Sequence, residues 1–305
     1  MRITRLAYFL PTLLLLSNAW GGKPNVIMIM ADDMGYETVG ANGCNDYKTP
    51  NIDAMAKKGM RFTNAFANPI CTPSRVKLMT GKANVRNYTF FGKLDRGQKT
   101  FGNYFRDAGY KTCISGKWQL GQETDAPSHF GFDQSCLWQL KKGNSHTIKG
   151  KKYDSRHTSP DLSINGVAKE FRNGEFGPDV CVDFIEKFLE ANKDESFFVY
   201  YPMILPHCPF VPTPGTPDYN PKSPGSPTYK GDAKNCSPAF IGLPLRGAPE
   251  KDPDLAPPDR VMSTVVVFPS EFWRSSTISS LLLIQLPTGS TPNSPKMRWL
   301  FTLVA

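Results

Sequence analysis

Short runs of wholly apolar residues alternate along this chain with segments whose apolar positions recur at the helical period, and that alternation is the strongest constraint on its fold. Val26-Ile27-Met28-Ile29-Met30-Ala31 has no polar face, so it reads as a strand covered on both sides, and it runs directly into Asp32-Asp33. Thr49-Pro50 opens a short helix carrying Ile52, Met55 and Ala56, closed by Gly59. Met60 to Ala67 reads as extended. A further helix ends at Gly81, with Thr72 as its cap and Pro73 in its first turn, where a missing N–H leaves no bond unmade. Thr100 caps a helix bearing Phe101, Tyr104, Phe105 and Ala108, and Tyr110 to Ser115 forms a second strand. Val180, Phe184, Ile185, Phe188 and Leu189 make a helical stripe, followed by the apolar strand Phe197 to Tyr201. Strand-helix-strand order of this kind predicts an α/β fold, a largely parallel sheet covered by helices on both faces.

At 305 residues the chain is long enough for one large domain of that class. Arg2 and Arg5, the apolar stretch Leu6 to Leu16 and the small residues Ser17-Asn18-Ala19 give residues 1–19 the layout of a signal peptide. That apolar stretch is too short to span a bilayer, and no later segment supplies the roughly 18 apolar residues required. The mature protein is therefore expected to be exported, periplasmic or extracellular, with no stable membrane span once the signal is removed. Seven cysteines suit an oxidising compartment, but an odd number leaves their pairing open, and no C-x-x-C pair points to zinc. The net charge of +9 favours anionic partners, though it is spread along the chain as a solvated surface would be, and no nucleic-acid motif accompanies it.

Parallel sheets collect ligands at the carboxyl ends of their strands, where Asp32-Asp33, Lys117 and His207 all fall. Adjacent carboxylates leaving an apolar strand call for a cation, Ca²⁺ or Mg²⁺, in preference to a simple turn or helix cap. Cys71 stands beside a helix N-terminus, where a developing anion on its side chain is favoured. Arg75, one turn on, can reach back to hold an oxyanion or a neighbouring carboxylate. His129, His146 and His157 lie in polar, Gly- and Ser-rich surroundings and read as loop residues. Pro206 to Pro227 reads as an ordered or semi-rigid loop beside the same strand ends.

The run Cys71-Thr72-Pro73-Ser74-Arg75-Val76-Lys77-Leu78-Met79-Thr80-Gly81-Lys82 matches the pattern C-x-P-S-R-x-x-x-[LM]-T-G-[RK] at every specified position. Gly109-Tyr110-Lys111-Thr112-Cys113-Ile114-Ser115-Gly116-Lys117-Trp118-Gln119-Leu120-Gly121 matches G-Y-x-T-x-x-x-G-K-x-x-x-G. In both the chain resembles the sulfatase family. The resemblance implies an alkaline-phosphatase-like sulfatase fold and hydrolysis of sulfate esters. It also implies conversion of Cys71 to formylglycine by a formylglycine-generating enzyme. Asp32, Asp33 and the modified residue 71 become ligands of Ca²⁺, with Mg²⁺ as the alternative. Lys117 and His207, the latter in Leu205-Pro206-His207-Cys208-Pro209-Phe210, would hold the sulfate, His207 would protonate the leaving oxygen, and Arg75 would position residue 71. Gln119 stands where many members carry histidine. Phosphoryl- and phosphonate-cleaving relatives in the same superfamily generally use Thr or Ser as nucleophile, so Cys71 in its Pro-Ser-Arg context argues against that activity.

The resemblance runs from about Lys23 to Asn235 and then stops. Residues 23–235 therefore read as the N-terminal part of a catalytic domain, and 236–305 as an atypical, poorly ordered tail. No Asp-Asn dipeptide completes the metal shell, and no tyrosine occurs after Cys236. A frameshift near codon 235 would account for this, a divergent C-terminal subdomain being the alternative. Either way the C-terminal part of the fold is expected to be incomplete, with a bare apolar sheet edge. A catalytically impaired sulfatase, or a binder of sulfate esters, is the alternative function.

Overall fold

The computed structural model describes residues 23–226, apart from 63, 64, 66, 69, 141, 142 and 144, together with the backbone of 299–304. The expected signal peptide and most of the tail lie outside the described residues. In chain order the elements are β1 (Val26–Asp32), α1 (Pro50–Lys58), α2 (Cys71–Thr80), α3 (Phe101–Asp107), β2 (Lys111–Lys117), α4 (Ala126–His129), β3 (Gln134–Trp138), β4 (Ser145–Ile148), β5 (Lys151–Asp154), β6 (Asp161–Ile164), β7 (Val167–Glu170), α5 (Gly177–Ala191), β8 (Phe197–Pro206) and β9 (Trp299–Val304).

Seven strands form one sheet in the order β7-β6-β3-β2-β8-β1-β9, and β4 and β5 make a separate hairpin. Pairing is parallel from β3 through β2, β8 and β1 to β9, whereas β6 and β7 join antiparallel, so the sheet is mixed, as an α/β protein of this kind permits. Side chains alternate across it. Met28, Met30, Ile114, Phe198 and Tyr200 pack on one side with Val76 and Met79 of α2 and Phe101 and Phe105 of α3. Ile27, Cys113, Phe197, Val199 and Tyr201 pack on the other with Met55 of α1 and Ile185 and Phe188 of α5. The apolar runs have no polar face because helices cover both sides. Phe105 stacks on Phe198 at 4.0 Å between centroids, and each such ring contributes about 1.5–3 kcal/mol by leaving water.

Local signals explain most element ends. Thr100 and Asn103 close a capping box at the start of α3, as Thr100 predicts, and Gly81 ends α2 in the left-handed region at φ 65°. The start of α2 differs from the expectation. It begins at Cys71 with Ile70 as its cap, because the Thr72 hydroxyl is engaged elsewhere, accepting the Gly92 N–H at 3.1 Å. Residues 60–62 carry no regular element, and much of the rest of that expected extended stretch lies outside the described residues. At Gly116, φ is 130° and a Cβ would sit 1.9 Å from the Pro202 carbonyl oxygen, so only glycine lets the end of β2 approach β8. Beside β1 the sheet continues: Trp299–Val304 pairs with it in parallel, from Val26↔Trp299 to Ala31↔Val304. No helix among the described residues is long and apolar enough to cross a membrane.

Candidate functional site

Neighbouring strands deliver three side chains to one end of the sheet: Asp32 closes β1, Lys117 closes β2, and His207 follows β8, which lies between them. The Lys117 Nζ donates to Asp32 Oδ2 at 2.6 Å, and Arg75 Nη2 from α2 stands 3.5 Å from Asp32 Oδ1. Arg75 Nη1 also donates to the Lys117 carbonyl at 3.0 Å, which ties α2 to the end of β2. All three side chains are almost fully buried. Burial pushes the Asp32 carboxyl up, but Lys117 first, then Arg75 and His207, outweigh it and hold the group below its ordinary value.

One carboxylate thus faces two basic side chains, leaving the cluster with more positive than negative groups. Arg75 Nε and Nη2 are buried and have no hydrogen-bond partner among the described residues. Unmade bonds from a buried guanidinium are costly, and an anion entering here would satisfy them.

Asp33 adopts φ 59°, an uncommon conformation, and its carboxylate is half exposed. Its Oδ2 lies 3.3 Å from His207 Nε2. The opposite ring nitrogen, Nδ1, is 2.8 Å from Arg156 Nη1 and 2.5 Å from the Cys208 carbonyl. Burial first, then Lys117, push the His207 pKa below its ordinary value against the pull of Asp32, so the ring is neutral near pH 7.

Cys71 is the first residue of α2, partly buried and a free thiol, at the positive end of the helix whose next turn carries Arg75. Thr72 Oγ1 lies 3.5 Å from Gln119 Oε1, so Gln119, at φ 54°, is beside the start of α2.

For a divalent cation the described donors are few. Asp32 is already engaged by Lys117 and Arg75, Asp33 faces His207, and among the described residues no group of three or more His, Cys, Asp or Glu could hold a metal ion. Calcium takes six to eight oxygens, so these residues alone do not make its shell.

Of the other histidines, His129 and His146 lie in regular elements, whereas His157 falls in the loop between β5 and β6. His129 ends α4, with Nε2 2.7 Å from the Arg96 carbonyl, and His146 lies on β4, 3.3 Å from Asp161. His157 is fully buried, its ring stacked on Phe176 at 5.9 Å, and neither ring nitrogen has a partner among the described residues. Burial drives its pKa well below the ordinary value. Cys208 is disulfide-bonded, while Cys44, Cys71, Cys113, Cys136 and Cys181 are free. Arg156 is the residue that sequence reading passed over. It lies in a Ser-rich stretch, and nothing local ties it to a histidine 51 positions later.

A family model described as Sulfatase matches residues 24–244, extending a little past Asn235. N-acetylglucosamine-6-O-sulfatase of Bacteroides thetaiotaomicron is 33% identical over 196 residues, covering 63% of this chain and 32% of that protein. N-acetylgalactosamine-6-sulfatase of Mus musculus is 35% identical over 217 residues, covering 61% of this chain and 40% of that protein. The solved structure of BT4656 in complex with its substrate D-glucosamine-2-N,6-O-disulfate superposes with a TM-score of 0.53 at 28% identity, covering 63% of this chain and 36% of that one. The chain spans about a third to two fifths of the length of these curated relatives.

Proposed function

The chain belongs to the sulfatase family, and from that premise we propose that it is an exported sulfuric ester hydrolase whose nucleophile is made from Cys71. The observation that carries this reading is the buried Asp32-Lys117-Arg75 cluster, with more positive than negative charge and two Arg75 nitrogens that make no hydrogen bond among the described residues. It is a receptor for a tetrahedral anion at the strand ends.

The formylglycine derived from Cys71, once hydrated, supplies the hydroxyl that attacks sulfur as the S–O bond to the alcohol breaks, its proton ending on the alcohol. Loss of the second hydroxyl's proton to water then breaks the C–O bond to sulfate and reforms the aldehyde. Residue 71 fits that role, being partly exposed at a helix N-terminus that favours a developing oxyanion. Arg75 steadies that oxygen and a sulfate oxygen through Nε and Nη2. Lys117 adds a fixed cation to the same group, its position set by Asp32. His207, as a neutral imidazole, donates a hydrogen bond from its N–H to the departing alcohol oxygen. Gln119 hydrogen-bonds near residue 71 but does not titrate, so it takes no proton in the sulfate-releasing step. Asp32 and Asp33 are the described residues that would face a calcium ion; because they do not complete its shell, no step is routed through one.

The relatives' names make a 6-sulfated amino sugar the first substrate to try. Release of inorganic sulfate from such an ester tests the reading: turnover by the wild type and none by Cys71→Ala supports it, and equal release by both contradicts it. A sulfate-ester binder without turnover is the second reading, favoured by the short metal donor set. A frameshift near codon 235 accounts for residues 236–305, and translating the other two frames tests it by yielding or failing to yield an Asp-Asn strand end.

A further inference from the structure

We infer that Arg156 is a positioning residue that fixes the orientation and tautomer of His207, holding its proton on Nε2, the nitrogen that faces the site. The inference rests on the proposed role of His207 in sulfate-ester cleavage. Arg156 is itself firmly held. Its Nε donates to Asp154 Oδ1 at 2.8 Å, its guanidinium carbon lies 4.5 Å from the centre of the Trp138 ring, and Asp154, Arg156 and Trp138 are all buried. A carboxylate along one edge and an aromatic face beneath it are the contacts that lock a planar guanidinium.

From that anchored fork, Nη1 approaches two acceptors. It donates to the Cys208 carbonyl at 2.7 Å and lies 2.8 Å from His207 Nδ1. The Cys208 carbonyl is also 2.5 Å from Nδ1, and taken alone that contact would place the imidazole proton on Nδ1. The guanidinium decides otherwise. It never loses its proton, so it always presents N–H to Nδ1, and a proton there would set donor against donor. It also supplies the hydrogen bond that the Cys208 carbonyl needs, so the carbonyl gains little from a second donor. With Nδ1 kept as the acceptor, the neutral ring carries hydrogen on Nε2, 3.3 Å from Asp33 Oδ2. Orientation by an outlying partner of the opposite ring nitrogen is how proteins commonly set which histidine nitrogen does the work.

Nitrogen-15 spectra of histidine-labelled protein at about pH 8, where a neutral imidazole is observed, test this directly. The ring signals of His207 are assigned by their loss in His207→Gln. In the wild type the His207 proton is expected on Nε2; a proton on Nδ1 overturns the inference. In Arg156→Gln the ratio of Nε2–H to Nδ1–H is expected to fall about tenfold or more, as the loss of a charged donor implies. An unchanged ratio in a folded variant overturns the role of Arg156. Arg156→Lys, which keeps the charge and one donor, should recover part of the Nε2–H population. If Arg156→Gln does not fold, the wild type and Arg156→Lys decide: Nε2–H in the first and a smaller Nε2–H share in the second support the inference, and any other pair overturns it. No turnover is needed, so a protein that cleaves no sulfate ester yet shows this pattern would sink the proposed activity and leave the positioning role standing.

Discussion

Lys117 Nζ lies 2.6 Å from Asp32 Oδ2 with both side chains sealed from solvent, and this pair is the hinge between fold and chemistry in the protein. It joins the ends of two strands that never touch, since β8 runs between them. The Arg75 guanidinium stands 3.5 Å from the other carboxylate oxygen, so both cations share the one Asp32 carboxylate.

That dependence sets the first prediction. Asp32→Asn leaves two buried cations facing each other and should cost about 3–5 kcal/mol in chemical denaturation. Lys117→Met added to it removes one of them, so the double variant should be less destabilised than the two single losses summed. Strict additivity would mean that the three side chains do not share their charge.

Stability should also depend on His157. Its folded pKa is depressed, so the unfolded chain binds the proton more readily once the pH falls below the ordinary value near 6.5. The contribution is fully present above that value and is lost as pH falls toward the folded pKa, by up to about 1.4 kcal/mol per pH unit. His157→Phe removes the titrating group and no hydrogen bond among the described residues. It should flatten the decline between about pH 6.5 and 5 in urea titrations; an unchanged slope would assign the decline to other groups.

β1 and β8 were legible because their apolar runs have no polar face, and the caps at Thr100 and Gly81 because few residue types serve those places. The polar wall was not. Ser155, Arg156, His157, Thr158, Ser159, Asp161 and Ser163 are all buried, with no apolar period to signal it. Their burial rests on bonds between distant residues, such as Trp138 Nε1 to Ser155 at 3.2 Å and Arg172 Nη2 to Asp161 at 2.5 Å. Pattern reading sees spacing within a segment, so it missed β3 to β7 and the seat of Arg156, while strand ends together with the family patterns pointed to Asp32, Lys117 and His207.

Calcium provides a third test. A donor set of Asp32 and Asp33 without further protein oxygens implies a dissociation constant of about 1 mM or weaker, so about 1 mM Ca²⁺ should stabilise the protein by no more than about 0.4 kcal/mol. Thermal unfolding with and without the ion measures this. A gain of several kcal/mol would mean that residues beyond those described complete the shell.

The central claim is that residue 71 is the nucleophile of a sulfate-ester hydrolase, and mass spectrometry of the tryptic peptide 62–75 tests it most directly. Protein co-expressed with a formylglycine-generating enzyme should yield that peptide with an aldehyde at position 71, trapped as a hydrazone and absent from Cys71→Ala. A peptide that carries only the unmodified thiol, from folded protein made beside an active generating enzyme, would contradict the account.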